Sequence, residues 1–272
     1  MARTTEFNHD TLAHLLHDNK LRIPNFQRAY AWDEDNVRDY WNDIMRAFEN
    51  GRSYFLGTVV LAEIEDDAGR KSVVDGQQRM VTTALTMYAI SAELIRQGKD
   101  KAGGKIFSDY IADYDLLEEE TVPKLLLGPD DHFIYDKIIN NNSVDEIRSE
   151  LTGKHPSVAV LDAYELLEKK VAGLAEESGY TRLVELSRYL NEEAQVLLAV
   201  ASGLSEAYVI FETLNDRGAD LTIADLLKNF FLSTAGNHGV DEALKHWTEI
   251  SSFFDDSEKL VSFIRADFTS RW

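Results

Sequence analysis

A chain of 272 residues with 44% hydrophobic and 28% charged residues has enough apolar material for a sizeable core and is not composed like a disordered chain. Its net charge of −20 argues against a generic grip on nucleic-acid phosphates, and no run approaches the roughly 18 apolar residues of a membrane span. The count of 0 cysteines excludes disulfides, thiolate catalysis and cysteine-based zinc sites, which fits a reducing, cytoplasmic compartment.

The acid is unevenly placed. Residues 1–100 carry 12 Lys and Arg against 16 Asp and Glu, whereas residues 101–272 carry 16 against 32. Contact with nucleic acid is therefore expected from a local basic pocket in the first hundred residues, with the acidic remainder forming solvated helix faces. The N-terminal MARTTEFNHD lacks the apolar stretch of a secretory signal.

A first helix is expected over Thr11–Asp18, with Leu12, Leu15 and Leu16 on its apolar side. Leu21–Ile23 reads as a short strand stopped by Pro24. The segment from Asn25 to Trp32 is rich in aromatics and too irregular for a helix. Asp33 is a good N-cap for a helix to about Glu49, whose Val37, Trp41, Ile44, Met45 and Phe48 keep the helical period, and Asn50-Gly51 ends it. Tyr54–Glu63 reads as a strand, Asp66–Gly69 as a turn and Lys71–Val74 as the returning strand of a hairpin. A strong helix then runs from about Gln77 to Gln97. After Gly103-Gly104 the chain is expected to become mainly helical: a short strand over Lys124–Leu127, helices near Asp131–Asn140, Ser157–Ala175 and Thr181–Asn191, a strand over Gln195–Ala201, and helices near Glu206–Leu214, Ile223–Ser233 and Val240–Phe254. The chain stops at Asp267–Trp272 straight after an apolar helical pattern, which hints at truncation of something longer. The division expected is residues 1–100 as a nucleotide-binding unit and 101–272 as a mainly helical region packed on it.

Chemistry concentrates at Asp75-Gly76-Gln77-Gln78-Arg79, between the buried strand ending Val73-Val74 and a helix with Met80, Val81, Ala84, Leu85 and Tyr88 on its core face. Free N–H groups and the positive dipole end at a helix start bind anions. Gly76 allows close backbone approach, and Arg79 can grip phosphate bidentately. Asp75, at the carboxyl end of a strand, could hold Mg2+ or orient water, and Gln77 or Gln78 could position an attacking water. On spacing alone, a helix cap at Asp75 and a surface ion pair at Arg79 explain the segment equally well. No Walker A sequence decides the matter.

Two further segments have both a functional and a plain reading. Arg28, flanked by aromatics, could bind phosphate while Tyr30 or Trp32 stacks on a base; equally, Tyr30 and Trp32 could be core anchors. Phe211–Gly218 followed by Leu221–Lys228 reads in isolation as a helix-turn-helix connection, with Thr222 and Asp225 in a capping box.

Taken in order, Ile23–Trp32, Phe55-Leu56-Gly57, Val74–Arg79, Phe211–Gly218 and Leu221–Lys228 resemble the N-terminal domain of the GmrSD-type restriction family, whose signature is the Asp-Gly-Gln-Gln-Arg motif. The likeness runs from about residue 10 to 230 and is thinnest over 100–195. It implies an α+β fold, a ParB/sulfiredoxin-like small mixed sheet with helices followed by a mainly helical region. It also implies a domain of a type IV or phosphorothioate-sensing phage-defence protein that hydrolyses a nucleoside triphosphate with Mg2+ and senses modified DNA. By position, Asp75, Gln77, Gln78 and Arg79 would be catalytic and Asp75 the metal ligand. Gln27, Arg28, Gly76 and Thr82 would hold the nucleotide, Asn215 and Arg217 would close over it, and Tyr30 and Trp32 would sense the DNA modification. Self-association is compatible with this scheme.

The family's partner domain is an HNH-type nuclease, which needs a histidine-centred metal site. The 7 histidines form no such pattern: Asp131-His132 reads as a helix N-terminus, and His14 and His17 as surface residues. Cleavage is therefore expected outside this chain. A non-hydrolysing DNA- or nucleotide-binding module, and more weakly a helical scaffold, are the alternatives.

Overall fold

The computed structural model describes residues 6–24, 27–63, 69–115, 119–151, 157–215, 239–254 and 256–271, with 224, 227, 228, 231, 232 and 235 between them. The class is α+β. Six strands form one mixed sheet: β1 (Glu6–Thr11), β2 (Leu21–Arg22), β3 (Tyr54–Ala62), β4 (Lys71–Asp75), β7 (Leu125–Leu126) and β8 (Ala194–Ala201), in the order β1-β8-β3-β4-β2-β7. A separate two-stranded ribbon pairs β5 (Ala112–Asp115) with β6 (Glu120–Pro123). β3 runs parallel to β8 and antiparallel to β4, so the hairpin read from the sequence forms the middle of the sheet.

β8 lies between β1 and β3. The residue-100 boundary thus marks a change of composition, while the sheet itself takes β7 and β8 from beyond it. Gly103 and Gly104, after which the chain is expected to become mainly helical, lie inside α4 (Asp100–Tyr110). Gly103 is needed there for packing on α3 (Gln77–Arg96): a Cβ would stand 2.5 Å from Ile95 Cγ1 and 2.7 Å from the Ser91 carbonyl oxygen.

One face of the sheet carries the main core. α1 (Leu12–Asp18), α3, α7 (Val158–Ser178) and α8 (Tyr180–Glu192) bury Leu12, Leu16, Met80, Leu85, Leu161, Leu167 and Leu190 against Leu61, Val73 and Val196. α3 is buried nearly all round, as a helix at the centre of a domain must be, its polar Thr82, Thr83, Thr86 and Ser91 satisfied by hydrogen bonds. α2 (Glu34–Glu49) begins at a capping box in which Asp33 and Asn36 each accept the other's backbone N–H. α5 (Pro129–Ile139) has Asp131 and His132 in its first turn, as read from the sequence.

The opposite face is covered at one end by α9 (Leu204–Asn215), where Ala207, Tyr208 and Leu232 pack on Val60, Ala62, Val74, Ala199 and Ala201. Helices over Val240–Ser251 and Ser257–Arg271 follow. α6 (Val144–Glu150) went unrecognised, although Ser143 and Glu146 form the capping box that announces it. Most of the helix expected over Ile223–Ser233 lies outside the described residues.

Candidate functional site

The site is the join of β4 and α3. Val73 and Val74 bury the strand, Asp75 ends it, and Gly76 turns the chain with φ +86°. A side chain at 76 would be strained by that φ and would meet Val59 Cγ2 at 2.9 Å and the Thr58 carbonyl oxygen at 3.2 Å. Glycine as the N-cap also means that no side chain caps α3, so its leading N–H groups have no cap acceptor. The first turn carries Arg79 and no carboxylate, the reverse of what a helix dipole favours. Both features suit a bound anion.

Arg79 is held by β3. Its Nη1 donates to the Leu56 carbonyl and its Nη2 to the Thr58 carbonyl at 2.8 Å. β4 pairs with β3 only from Val60 onward, so the guanidinium satisfies carbonyls on a stretch that β4 does not reach. A bulge makes this possible: between Phe55 and Thr58 β3 gains one residue relative to β8, and Gly57 there has φ +100°. A phosphate grip by Arg79 would have to use donors that β3 does not occupy. Arg79 is first a strut of the sheet edge, and of its five N–H donors only those not aimed at β3 remain for a ligand.

Asp75 Oδ2 accepts from Thr58 Oγ1 at 3.3 Å and lies 4.0 Å from Arg79 Nη2. Burial pushes its carboxyl above the usual carboxylate range, opposed by Arg79, the Gly76 N–H and the Thr58 hydroxyl. Burial also lowers the Arg79 pKa, opposed by Asp75. Burial thus works against the charged form of Asp75, the kind of perturbation that clusters at functional sites.

The two glutamines differ. Gln78 Oε1 accepts from the Ala31 N–H at 2.8 Å and the Trp32 N–H at 3.3 Å, and its Nε2 donates to the Ala29 carbonyl at 3.4 Å. It clamps the 27–32 loop onto α3 and is not free to orient water. Gln77, also buried, has an Oε1 with no hydrogen-bond partner among the described residues. An orphaned buried acceptor is costly, and here it sits on the first residue of α3.

Gln27 Nε2 donates to the Val74 carbonyl at 3.1 Å, next to Asp75, and Arg28 is exposed. Tyr30 does not offer its ring to a base: it is only 4% exposed, its hydroxyl bonds Thr82 Oγ1 at 2.8 Å, and its N–H donates to Asp131 Oδ2 at 2.6 Å. Thr82 is fully buried in that bond and another to the Gln78 carbonyl. Its geometry corrects the ligand-holding role to a core one. Trp32 is half-buried against Tyr40, ring centroids 6.1 Å apart. Asn215 ends α9, and Arg217 lies outside the described residues. The structure therefore gathers Gln27, Asp75, Gly76, Gln77, Gln78 and Arg79. It adds Thr58 and Gly57, which sequence reasoning gave no role; the signal was a glycine inside a β-branched strand, which marks a bulge or a close approach.

Residues 12–232 match the family model described as the GmrSD restriction endonuclease, N-terminal domain. No curated protein matches the chain. The family model spans most of the 272 residues and contains every part of the site just described, and on that ground the chain belongs to the GmrSD restriction endonuclease N-terminal domain family.

Proposed function

We propose that this domain binds and hydrolyses a nucleoside triphosphate at the β4–α3 junction and that its nucleotide state controls a nuclease located outside the chain. Family membership gives the chain a restriction-system role, and no helix among the described residues is long and apolar enough to cross a membrane. The cytoplasm, where such a system meets DNA, is its proposed compartment. The observation that carries the reading is the uncapped α3 N-terminus with the orphaned Gln77 Oε1 in its first turn.

In this reading the leading N–H groups of α3 bind phosphate oxygens, with Arg28 and the remaining Arg79 donors adding charge. Gln77 positions the attacking water, since its carbonyl oxygen needs a donor and Gln78 is already engaged. Among the described residues no group of three His, Asp or Glu could by itself hold a metal. Asp75 and Thr58 fit Mg2+ as a partial ligand set of one carboxylate and one hydroxyl, the kind that leaves most positions to substrate phosphates and water. When bound, Mg2+ neutralises phosphate charge. Sensing of modified DNA is assigned to the accessible part of the 27–32 loop, exposed Arg28 and half-buried Trp32, rather than to buried Tyr30. Asn215 and Arg217 remain proposed as closing residues, and the cleaving partner is proposed to be an HNH-type domain or subunit.

The test is phosphate release from each nucleoside triphosphate with Mg2+, with and without modified DNA, for wild type and Gln77→Ala. Release by the wild type that drops at least tenfold in the variant supports the proposal. Equal release from both at every condition sinks it. A second reading, binding without turnover, draws on one observation: Gln78 and Arg79 are both tied into the protein. Nucleotide binding with no phosphate release would establish that reading instead.

A further inference from the structure

Phe55 is 58% exposed, and it is out in solvent because of the bulge that serves Arg79. Tyr54 and Leu56 pack toward the main core, so Phe55 points to the opposite face of the sheet. Beyond the bulge Val59 and Leu61 face the main core, whereas Val60 and Ala62 face α9. Thr58 therefore faces the same side as Phe55. The pairing agrees: Phe55 aligns with Gln195 and Thr58 with Leu197, two residues apart on β8 and so on one face. Strict alternation back from Thr58 would have sent residue 55 into the core. A left-handed glycine re-aims an aromatic ring onto open sheet surface, a recurring use of bulges beside functional sites.

That surface continues the candidate site. Thr58 bonds Asp75, three residues from Phe55 along β3. α9 covers the other end of this face, and Gln195, half-exposed, places an amide opposite Phe55 in register. β3 begins at the end where β4 stops and α3 starts, so a ligand with phosphates on the α3 N–H groups has Phe55 along the strand from them.

We infer that Phe55 is the stacking platform for the base of the nucleotide whose phosphates bind at the start of α3. The occupant is a mononucleotide base rather than a nucleic-acid strand, because one exposed ring along the strand from one anion site accommodates a single base. The inference rests on the nucleotide reading above. Stacking on an aromatic is indifferent to which base is present, because every base offers a π-face.

Calorimetric binding of a non-hydrolysable nucleoside triphosphate and of inorganic tripolyphosphate, each with Mg2+, tests this on the full chain. For wild type the nucleotide should bind more tightly than tripolyphosphate. Phe55→Ala should weaken the nucleotide roughly ten- to a hundredfold, as expected for loss of one stacked base, and leave tripolyphosphate unchanged. Phe55→Trp should restore nucleotide affinity and show fluorescence quenching on binding. An unchanged nucleotide affinity in Phe55→Ala overturns the stacking role while the nucleotide site stands. Failure of the wild type to bind either ligand overturns both. Because the ring is exposed, the melting temperature of Phe55→Ala should match wild type, and equal weakening of both ligands would mark a structural effect and refute the inference.

Discussion

Gly57 lies where the Arg79 guanidinium crosses β3: a Cβ at residue 57 would overlap Nη1 and stand 3.3 Å from Cζ. With φ at +100° any side chain there is also strained. Gly57→Ala should therefore both strain the bulge and expel the guanidinium from the Leu56 and Thr58 carbonyls, for a loss of about 2–4 kcal/mol. Arg79→Ala relieves the overlap but not the backbone strain. In urea unfolding the double variant should be less destabilised than the sum of the two single ones. Strict additivity would mean that the residues do not act through one another.

Gln77 and Gln78 are neighbours in sequence and opposites in bonding. Gln78→Ala leaves the Ala31 and Trp32 N–H groups without their acceptor and should lower stability by about 1–3 kcal/mol. It should also release the 27–32 loop, seen as faster tryptic cleavage after Arg28. Gln77→Leu removes an unpartnered acceptor of similar bulk and should be neutral or stabilising. Paired melting curves decide it: if Gln77→Leu destabilises as much as Gln78→Ala, Gln77 is held by the protein and is not waiting for a ligand.

The legible parts of this molecule were those with a local physical signature. Asp33 with the Val37, Trp41 and Ile44 period specified α2, and the β-branched run of β3 with Lys71–Val74 specified the hairpin. β1 was missed because Glu6–Thr11 is a polar edge strand, stabilised by pairing with β8 rather than by its own pattern. The place of β8 between β1 and β3 is a long-range fact with no local trace. At the site, the Asp-Gly-Gln-Gln-Arg motif marks the strand-turn-helix junction in the chain but does not show how its side chains are bonded. Nothing in adjacent glutamines reveals that one clamps a loop and the other has no partner. Arg79 looked like a phosphate ligand because its acceptors are backbone carbonyls of β3, which a sequence does not display.

Tyr30 belongs to the fold before it belongs to any sensor. Its hydroxyl shares a buried bond with Thr82, and burial raises its pKa well above the usual tyrosine value. Tyr30→Phe should lower stability by about 1 kcal/mol, and Tyr30→Ala by about 3–5 kcal/mol through the cavity left behind. Tyr30→Phe is therefore the informative variant for DNA discrimination. If it folds normally, as judged by circular dichroism, and loses discrimination between modified and plain DNA, the hydroxyl takes part in sensing despite its burial.

Asp75 carries the pH dependence of the site. Burial outweighs Arg79, Gly76 and Thr58 and raises its pKa on folding. A raised folded pKa means that the folded protein holds this proton more tightly than the unfolded chain does. The associated stability is full below the unfolded value, about 4, and is lost as pH rises through the folded value. At neutral pH the carboxylate is therefore a net burden on the fold. Asp75→Asn keeps the shape and removes that charge, so it should raise unfolding free energy at pH 7. The advantage should shrink toward zero well below the unfolded value of about 4, where wild-type Asp75 is protonated in both states. The same variant should lose Mg2+-dependent nucleotide binding, trading function for stability. A destabilised Asp75→Asn protein at pH 7 would show that the ion pair with Arg79 outweighs burial and would reverse this account of the carboxylate.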